Sequence, residues 1–157
     1  MKQLDLNKMK KLFLLSLMCF VALAMNAQSF IDLGLPSGTK WKTQNQNGFF
    51  SYDDAMSKYG DRIPSKTQWE ELDLECTWKW TGSGYKVTGP NGNSIELPAE
   101  GYRNCDGGVG GVGSGGLYWS STPDGSDGAW CLAFDSGKVL MGYGSRCYGL
   151  SVRLVQD

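Results

Sequence analysis

The sequence predicts an α+β domain of short antiparallel strands, one or two helices and long glycine-rich loops. Three observations point there. Eighteen of the 22 glycines lie at or after Gly82, so the C-terminal half must turn often. Between those turns, aromatic and branched residues alternate with polar ones, the period of a strand with one face covered. Ahead of them, residues 51–72 carry two helix-start signatures.

The elements follow in order. Lys8, Lys10 and Lys11 precede an apolar run from Leu12 to Ala24, with Ala22, Ala24 and Ala27 as small residues for cleavage. Residues 1–27 therefore read as a secretory signal peptide and residues 28–157 as a single domain. The apolar run is about 13 residues, short of the roughly 20 that cross a bilayer, so no transmembrane span is expected. Bulky Met18 before Cys19, and the apolar residues after it, argue against lipid attachment there. The leader implies a secreted, periplasmic or envelope-held product.

The mature chain opens with Ile31, Leu33 and Leu35 in alternation, a Pro-Ser-Gly turn and Trp41, which predicts a strand and a turn. Ser51, Asp53 or Asp54 caps a short helix ending at Gly60, and Ser65 with Gln68 forms a capping box for a second. On that helix Trp69 and Leu72 face inward, while Lys66, Glu70, Glu71 and Asp73 face outward. Trp78 and Trp80, Tyr85 and Val87, and Ile95 and Leu97 then alternate around a Pro90-Asn91-Gly92 turn, predicting a hairpin region. Further on, Trp130, Leu132 and Phe134 share one strand face, answered by Val139 and Met141 across a turn at residues 135–137. Cys131, Ala133 and Asp135 then point to solvent, and a last strand over residues 150–155 turns Val152 and Leu154 inward.

Charge and composition exclude several functions. Removing the leader takes away four Lys and one Asp and moves the formal charge from −1 to −4. No basic patch survives, so nucleic acid is not an expected partner. The chain has no histidine, which removes Ser-His-Asp and Cys-His nucleophiles, His-ligated zinc and the commonest general base. Cys76, Cys105, Cys131 and Cys147 remain in a chain read as exported, where at least one disulfide is expected. Four cysteines allow three complete pairings. Cys131 with Cys147, nearest in the last sheet region, is the first to expect, and Cys76 with Cys147 the next.

Gly111-x-Gly113-x-x-Gly116 satisfies the letters of a dinucleotide-binding loop. Such a loop needs a strand entering and a helix leaving, because the helix N-terminus supplies the field that holds phosphate. Upstream the chain is too glycine-rich for a buried strand, and downstream Pro123 interrupts before a helix forms. The reading is a mobile, solvent-facing loop with no nucleotide and no other cofactor. Asp124 and Asp127 offer hard oxygen ligands, but Ala129 stands where an EF-hand loop needs glycine, so no metal site is assigned.

"DRIPSKTQWEEL", residues 61–72, resembles the Arg-Leu-Pro-Thr-x-x-x-Trp-Glu signature of the formylglycine-generating enzyme and C-type lectin-like fold group. "YWSSTPDGSDGAWCLAFDSGKV" followed by "RCYGLSVRLV" resembles the C-terminal signature of the Fibrobacter succinogenes major paralogous domain, common in exported proteins of Bacteroidetes. "GLPSGTKW" and "CTWKWTGSGYKVTGPNGNSIELPAEGYR" fit it too, so the resemblance spans nearly the whole mature chain. It implies a C-type lectin-like fold and leaves function open, since one fold hosts many functions. Ser65, Trp69, Arg62 and Arg153 read on physical grounds as cap, core and loop braces. Neither the copper-binding cysteine motif of the formylglycine-generating enzymes nor the Glu-Pro-Asn calcium motif of sugar-binding lectins is present.

Binding is the function this composition favours. Tyr118, Tyr143 and Tyr148 supply aromatic area at low entropic cost, with Trp130 as a core member, while Asp127, Ser145 and Arg146 supply hydrogen bonds. They predict an adhesin-like, non-catalytic module whose C-terminal loop and strand face bind a glycan or protein outside the cytoplasm. One alternative is a retroelement-diversified ligand-binding protein. Such proteins are similar in fold and vary near this C-terminus, and Gly, Cys, Ser, Asp, Tyr and Arg here are all reachable from an asparagine codon through its adenines. Another is a divergent enzyme using a pair from Glu70, Glu71, Glu75, Glu96 and Glu100, most of which should be solvated.

Overall fold

The computed structural model describes residues 29–157. The leader and Cys19 lie outside the described residues. Among the described residues, two α-helices and four small antiparallel sheets make an α+β fold. Strands β1 (Phe30–Asp32) and β11 (Val155–Gln156) both pair with β2 (Lys40–Lys42), which brings the two ends of the domain together. Helix α1 (Tyr52–Tyr59) starts at Ser51, whose hydroxyl accepts from the Asp54 N–H, and stops at Gly60. Helix α2 (Lys66–Glu75) carries the full capping box, Ser65 accepting from the Gln68 N–H and Gln68 accepting from the Ser65 N–H. Trp69 and Leu72 are buried, as their spacing requires.

In the expected hairpin region, strands β3 (Thr77–Trp80), β4 (Gly84–Thr88) and β5 (Ser94–Pro98) form a three-stranded meander, with Trp78 opposite Val87 and Tyr85 opposite Leu97. Strands β8 (Gly115–Asp124), β9 (Gly128–Asp135) and β10 (Lys138–Ser145) form the longest sheet, and Val139 and Met141 do answer Phe134 and Leu132. Its inner face packs on α2 through Trp69, whose ring lies 4.7 Å from that of Trp41.

Several expectations give way here. Cys131 does not meet solvent: it is buried, with Ala129 and Trp119, in a second cluster on the far face of the β8–β9 pair. That face is covered by Tyr52 and Ala55 of α1 and by Leu150, Val152 and Leu154. The last segment is not an alternating strand either. Every residue from 150 to 155 is buried, because the chain threads between sheets, bridging Phe50, Tyr118 and Trp41 in turn. The glycine loop is also more structured than expected. β6 (Tyr102–Arg103) pairs with β7 (Val109–Gly110), and Gly113 N–H donates to Ala99 O at 2.7 Å. A strand, β8, leaves it where a phosphate cradle needs a helix.

The disulfide joins Cys105 to Cys147, which corrects the expected Cys131–Cys147 and Cys76–Cys147 pairs. Register explains the choice. Arg103 and Gly149 exchange both backbone hydrogen bonds at 2.8 Å, and two residues further along this antiparallel bridge Cys105 faces Cys147 with Cα atoms 5.1 Å apart. Cys131 lies opposite Gly142 and Trp119 in its sheet, and Cys76 caps α2; both are free thiols. Burial pushes each thiol up to about 11, helped at Cys76 by Glu75 and Glu71. A raised folded value favours the neutral thiol, so this contribution to stability is full below pH 9 and lost as pH rises through about 11. Thiol titration at pH 8 should therefore find Cys76 and Cys131 slow in the folded domain, Cys131 the slower. Denaturant without reductant should then release these two of the four cysteines among the described residues. Release of all four would overturn the bridge.

Candidate functional site

The Asp124-to-Gly128 turn, between β8 and β9, stands beside the end of β10. Asp124, Ser126, Asp127, Tyr143 and Ser145 line an open cleft of about 430 Å³ between them. The turn is held by Arg146. Its backbone N–H donates to Asp127 O at 3.0 Å, Nε to Gly128 O at 3.1 Å and Nη2 to Gly125 O at 3.1 Å. The guanidinium also stacks 4.9 Å above the Tyr52 ring and lies 3.8 Å from Asp53. Burial raises the Tyr52 phenol above its ordinary value, and the Arg146 cation pulls it back. Arg146 thus braces the turn with its backbone N–H and two of its five side-chain donors.

Tyr143 forms the wall of the cleft and is 74% exposed. Across the ladder it pairs with Trp130, and the rings meet edge to face at 6.4 Å. Lys66, the first residue of α2, sets its ammonium 3.6 Å over the Trp130 ring and 3.6 Å from Glu70. The aromatic ledge is therefore backed by a helix end. Trp130, expected in the core, is only half-buried and forms this support. Its place at the strand end, beside the turn, was the sequence signal for that role.

The sequence-derived set is brought together only in part. Asp127, Tyr143 and Ser145 line the cleft, with Arg146 behind them. Ser145 also shares a hydrogen bond of 3.2 Å with Cys147, tying the cleft to the disulfide. Tyr148 is half-buried beneath Gly144, against Tyr102 at 6.1 Å. Tyr118 is not on the surface at all. It is fully buried, donates to Pro98 O at 2.6 Å and accepts from Asn45 Nδ2 at 3.0 Å. Burial holds its phenol far above the ordinary tyrosine range. The reason is that β8 is covered on both sides, so neighbouring Tyr118 and Trp119 each enter a different cluster.

Among the described residues, no three His, Cys, Asp or Glu side chains gather as a metal site. Glu71, expected to be solvated, instead accepts from the Ser37 N–H at 2.9 Å and from its hydroxyl at 2.6 Å, bracing the Pro36-Ser37-Gly38 turn.

A family model described as a domain of unknown function (DUF8237) matches residues 73–155, more than half of the chain, and the chain belongs to that family. The match takes in the cleft, its clamp and both bridged cysteines. No curated protein and no solved structure matches the chain.

Proposed function

We propose that this member of the DUF8237 family is an exported, non-catalytic recognition module that holds a glycan or protein ligand at the Tyr143 cleft. The observation that carries the reading is the exposed Tyr143 ring, stiffened by Trp130 and flanked by carboxylates and a hydroxyl on a clamped turn. A large aromatic already fixed in place loses little entropy on binding, and such anchors dominate binding energy. Asp127 and Ser145 add the polar contacts that orient a ligand. The pairing of the first and last described strands on β2 supports a C-type lectin-like arrangement akin to the Fibrobacter succinogenes major paralogous domain. The absence of histidine from the sequence supports binding over catalysis.

A glycan and protein array followed by titration tests the site. Tyr143→Ala should weaken binding by about 1 to 3 kcal/mol, roughly 5- to 150-fold. Gly113→Ala, at a φ of 79° and outside the cleft lining, strains its own loop but should leave affinity unchanged. Hits that survive loss of Tyr143 unchanged would place the surface elsewhere. Export is checked by mass spectrometry of the native protein, which should start near Met25 or Gln28. An intact Met1 in the envelope fraction would overturn it.

A further inference from the structure

A second, larger cleft of about 580 Å³ opens between residues 43–47 and β5, and shares no lining residue with the Tyr143 cleft. Its rim is the run Thr43-Gln44-Asn45-Gln46-Asn47, five uncharged polar residues in succession. This run is fixed at both ends: Thr43 N–H donates to Ser29 O at 3.1 Å and Gln46 N–H to Val152 O at 2.8 Å. The floor is a half-buried hydrogen-bond network. Arg153 Nε donates to Asn45 Oδ1 at 2.8 Å, and Asn45 Nδ2 and Ser151 Oγ each donate to Glu100 Oε2 at 2.8 Å.

Two groups in this cleft have unspent hydrogen-bonding capacity. Gln46 Nε2 is buried and has no acceptor among the described residues. Both bonds to Glu100 fall on Oε2, so Oε1 has no donor among the described residues. A buried donor is normally paired, so Gln46, whose side chain lines the cleft, gains a partner by turning its amide out toward a ligand there. The charges present are balanced: Glu100 and Arg153 in the floor, Lys86 and Glu96 opposite each other on β4 and β5. Such a cleft has no net field to draw in phosphate or an amine. An apolar ligand would leave its amides unmatched.

We infer that this cleft binds a neutral, polyhydroxylated ligand, one end of a saccharide chain, through the side-chain amides of Gln44, Gln46 and Asn47 and the carboxylate of Glu100. Hydroxyls suit it because each both donates and accepts. Vicinal hydroxyls span the two heteroatoms of an amide or a carboxylate. The volume lies within the roughly 300 to 1,000 Å³ of small-ligand sites. The site goes beyond the Tyr143 reading and does not depend on it.

The test is titration of the ¹⁵N-labelled protein with methyl α-glucoside, methyl α-mannoside, N-acetylglucosamine, maltose and cellobiose, reading the side-chain amide signals. At least one sugar should shift the Gln44, Gln46 and Asn47 signals saturably, and Gln46→Ala or Asn47→Ala should weaken it about tenfold or more. Gln44→Ala is the fallback should Gln46→Ala lose the dispersed spectrum of a fold. Tyr143→Ala should leave this affinity within about twofold, which separates failure here from failure of the first site. No shift with any of the sugars up to about 50 mM would overturn the proposal. So would shifts confined to the Tyr143 cleft. Capture of an extended peptide by the edge of β5 in place of sugar would overturn it as well.

Discussion

Replacing Arg153 by alanine should cost the domain about 3 to 5 kcal/mol of stability, because three acceptors lose their donor at about 1 to 3 kcal/mol each. Its side chain is fully buried and donates to Asn45 Oδ1 at 2.8 Å, to Lys42 O at 2.7 Å and to Glu96 O. Three elements far apart in sequence are joined by this one fork. Without it, two backbone carbonyls and an amide oxygen lose their donor inside the protein, and Glu100 loses its nearby positive charge. Burial lowers the guanidinium to about 10, opposed by Tyr118 and Glu100. A folded value below the ordinary 12.5 means that burying the charge itself costs stability at neutral pH, so the gain comes from the three hydrogen bonds. Arg153→Lys should recover little, because an ammonium cannot reach three acceptors set around a planar fork. Urea unfolding at pH 7 measures both. A loss under about 1 kcal/mol for Arg153→Ala would refute the network's role. A domain of this size has roughly 5 to 15 kcal/mol in total, so the variant should be visibly less soluble and more easily cleaved.

Removing the disulfide should cost about 3 to 4 kcal/mol. The bridge closes a loop across a sequence separation of 42 residues, and the loop-entropy relation gives about that figure. The effect works mainly on the unfolded chain, since the Arg103–Gly149 bridge already brings the two cysteines together in the native fold. The Cys105→Ser, Cys147→Ser double variant should therefore keep its native spectrum while its denaturant midpoint falls. Equal midpoints for the oxidised and reduced wild-type chain would overturn this. Because Ser145 and Arg146 adjoin Cys147, the double variant should also loosen the clamped turn, read as weaker ligand binding at the Tyr143 cleft.

Much of the fold was legible because it is local. Ser51, Ser65 with Gln68, and Gly60 announce helix ends through bonds that span three or four residues. The alternation Trp78, Trp80, Tyr85, Val87, Ile95, Leu97 specifies both the strands and their register, since a one-residue slip would turn the whole apolar set outward. Of the site, Asp127, Tyr143 and Ser145 were legible for a similar reason: they flank turns, where side chains emerge beside one another. The amide run 43–47 was present in the sequence as a polar stretch, but its role as a cleft wall depends on β5, some fifty residues later.

Local sequence alone specified the helices, the hairpin strands and the turn positions. Each depends on neighbours a few residues apart or on composition. Only the tertiary structure decided which faces stay wet. Periodicity gives one covered face to a strand, yet β8 and β9 are covered twice, because α1 and residues 150–154 land on their second side. That landing sends Trp119 and Cys131 inward, while Tyr118 is covered from the first side with Trp69, and Arg153 ends fully buried. It likewise chose the cysteine pair, since the register of Arg103 with Gly149 joins chain segments 46 residues apart, beyond the reach of any local pattern.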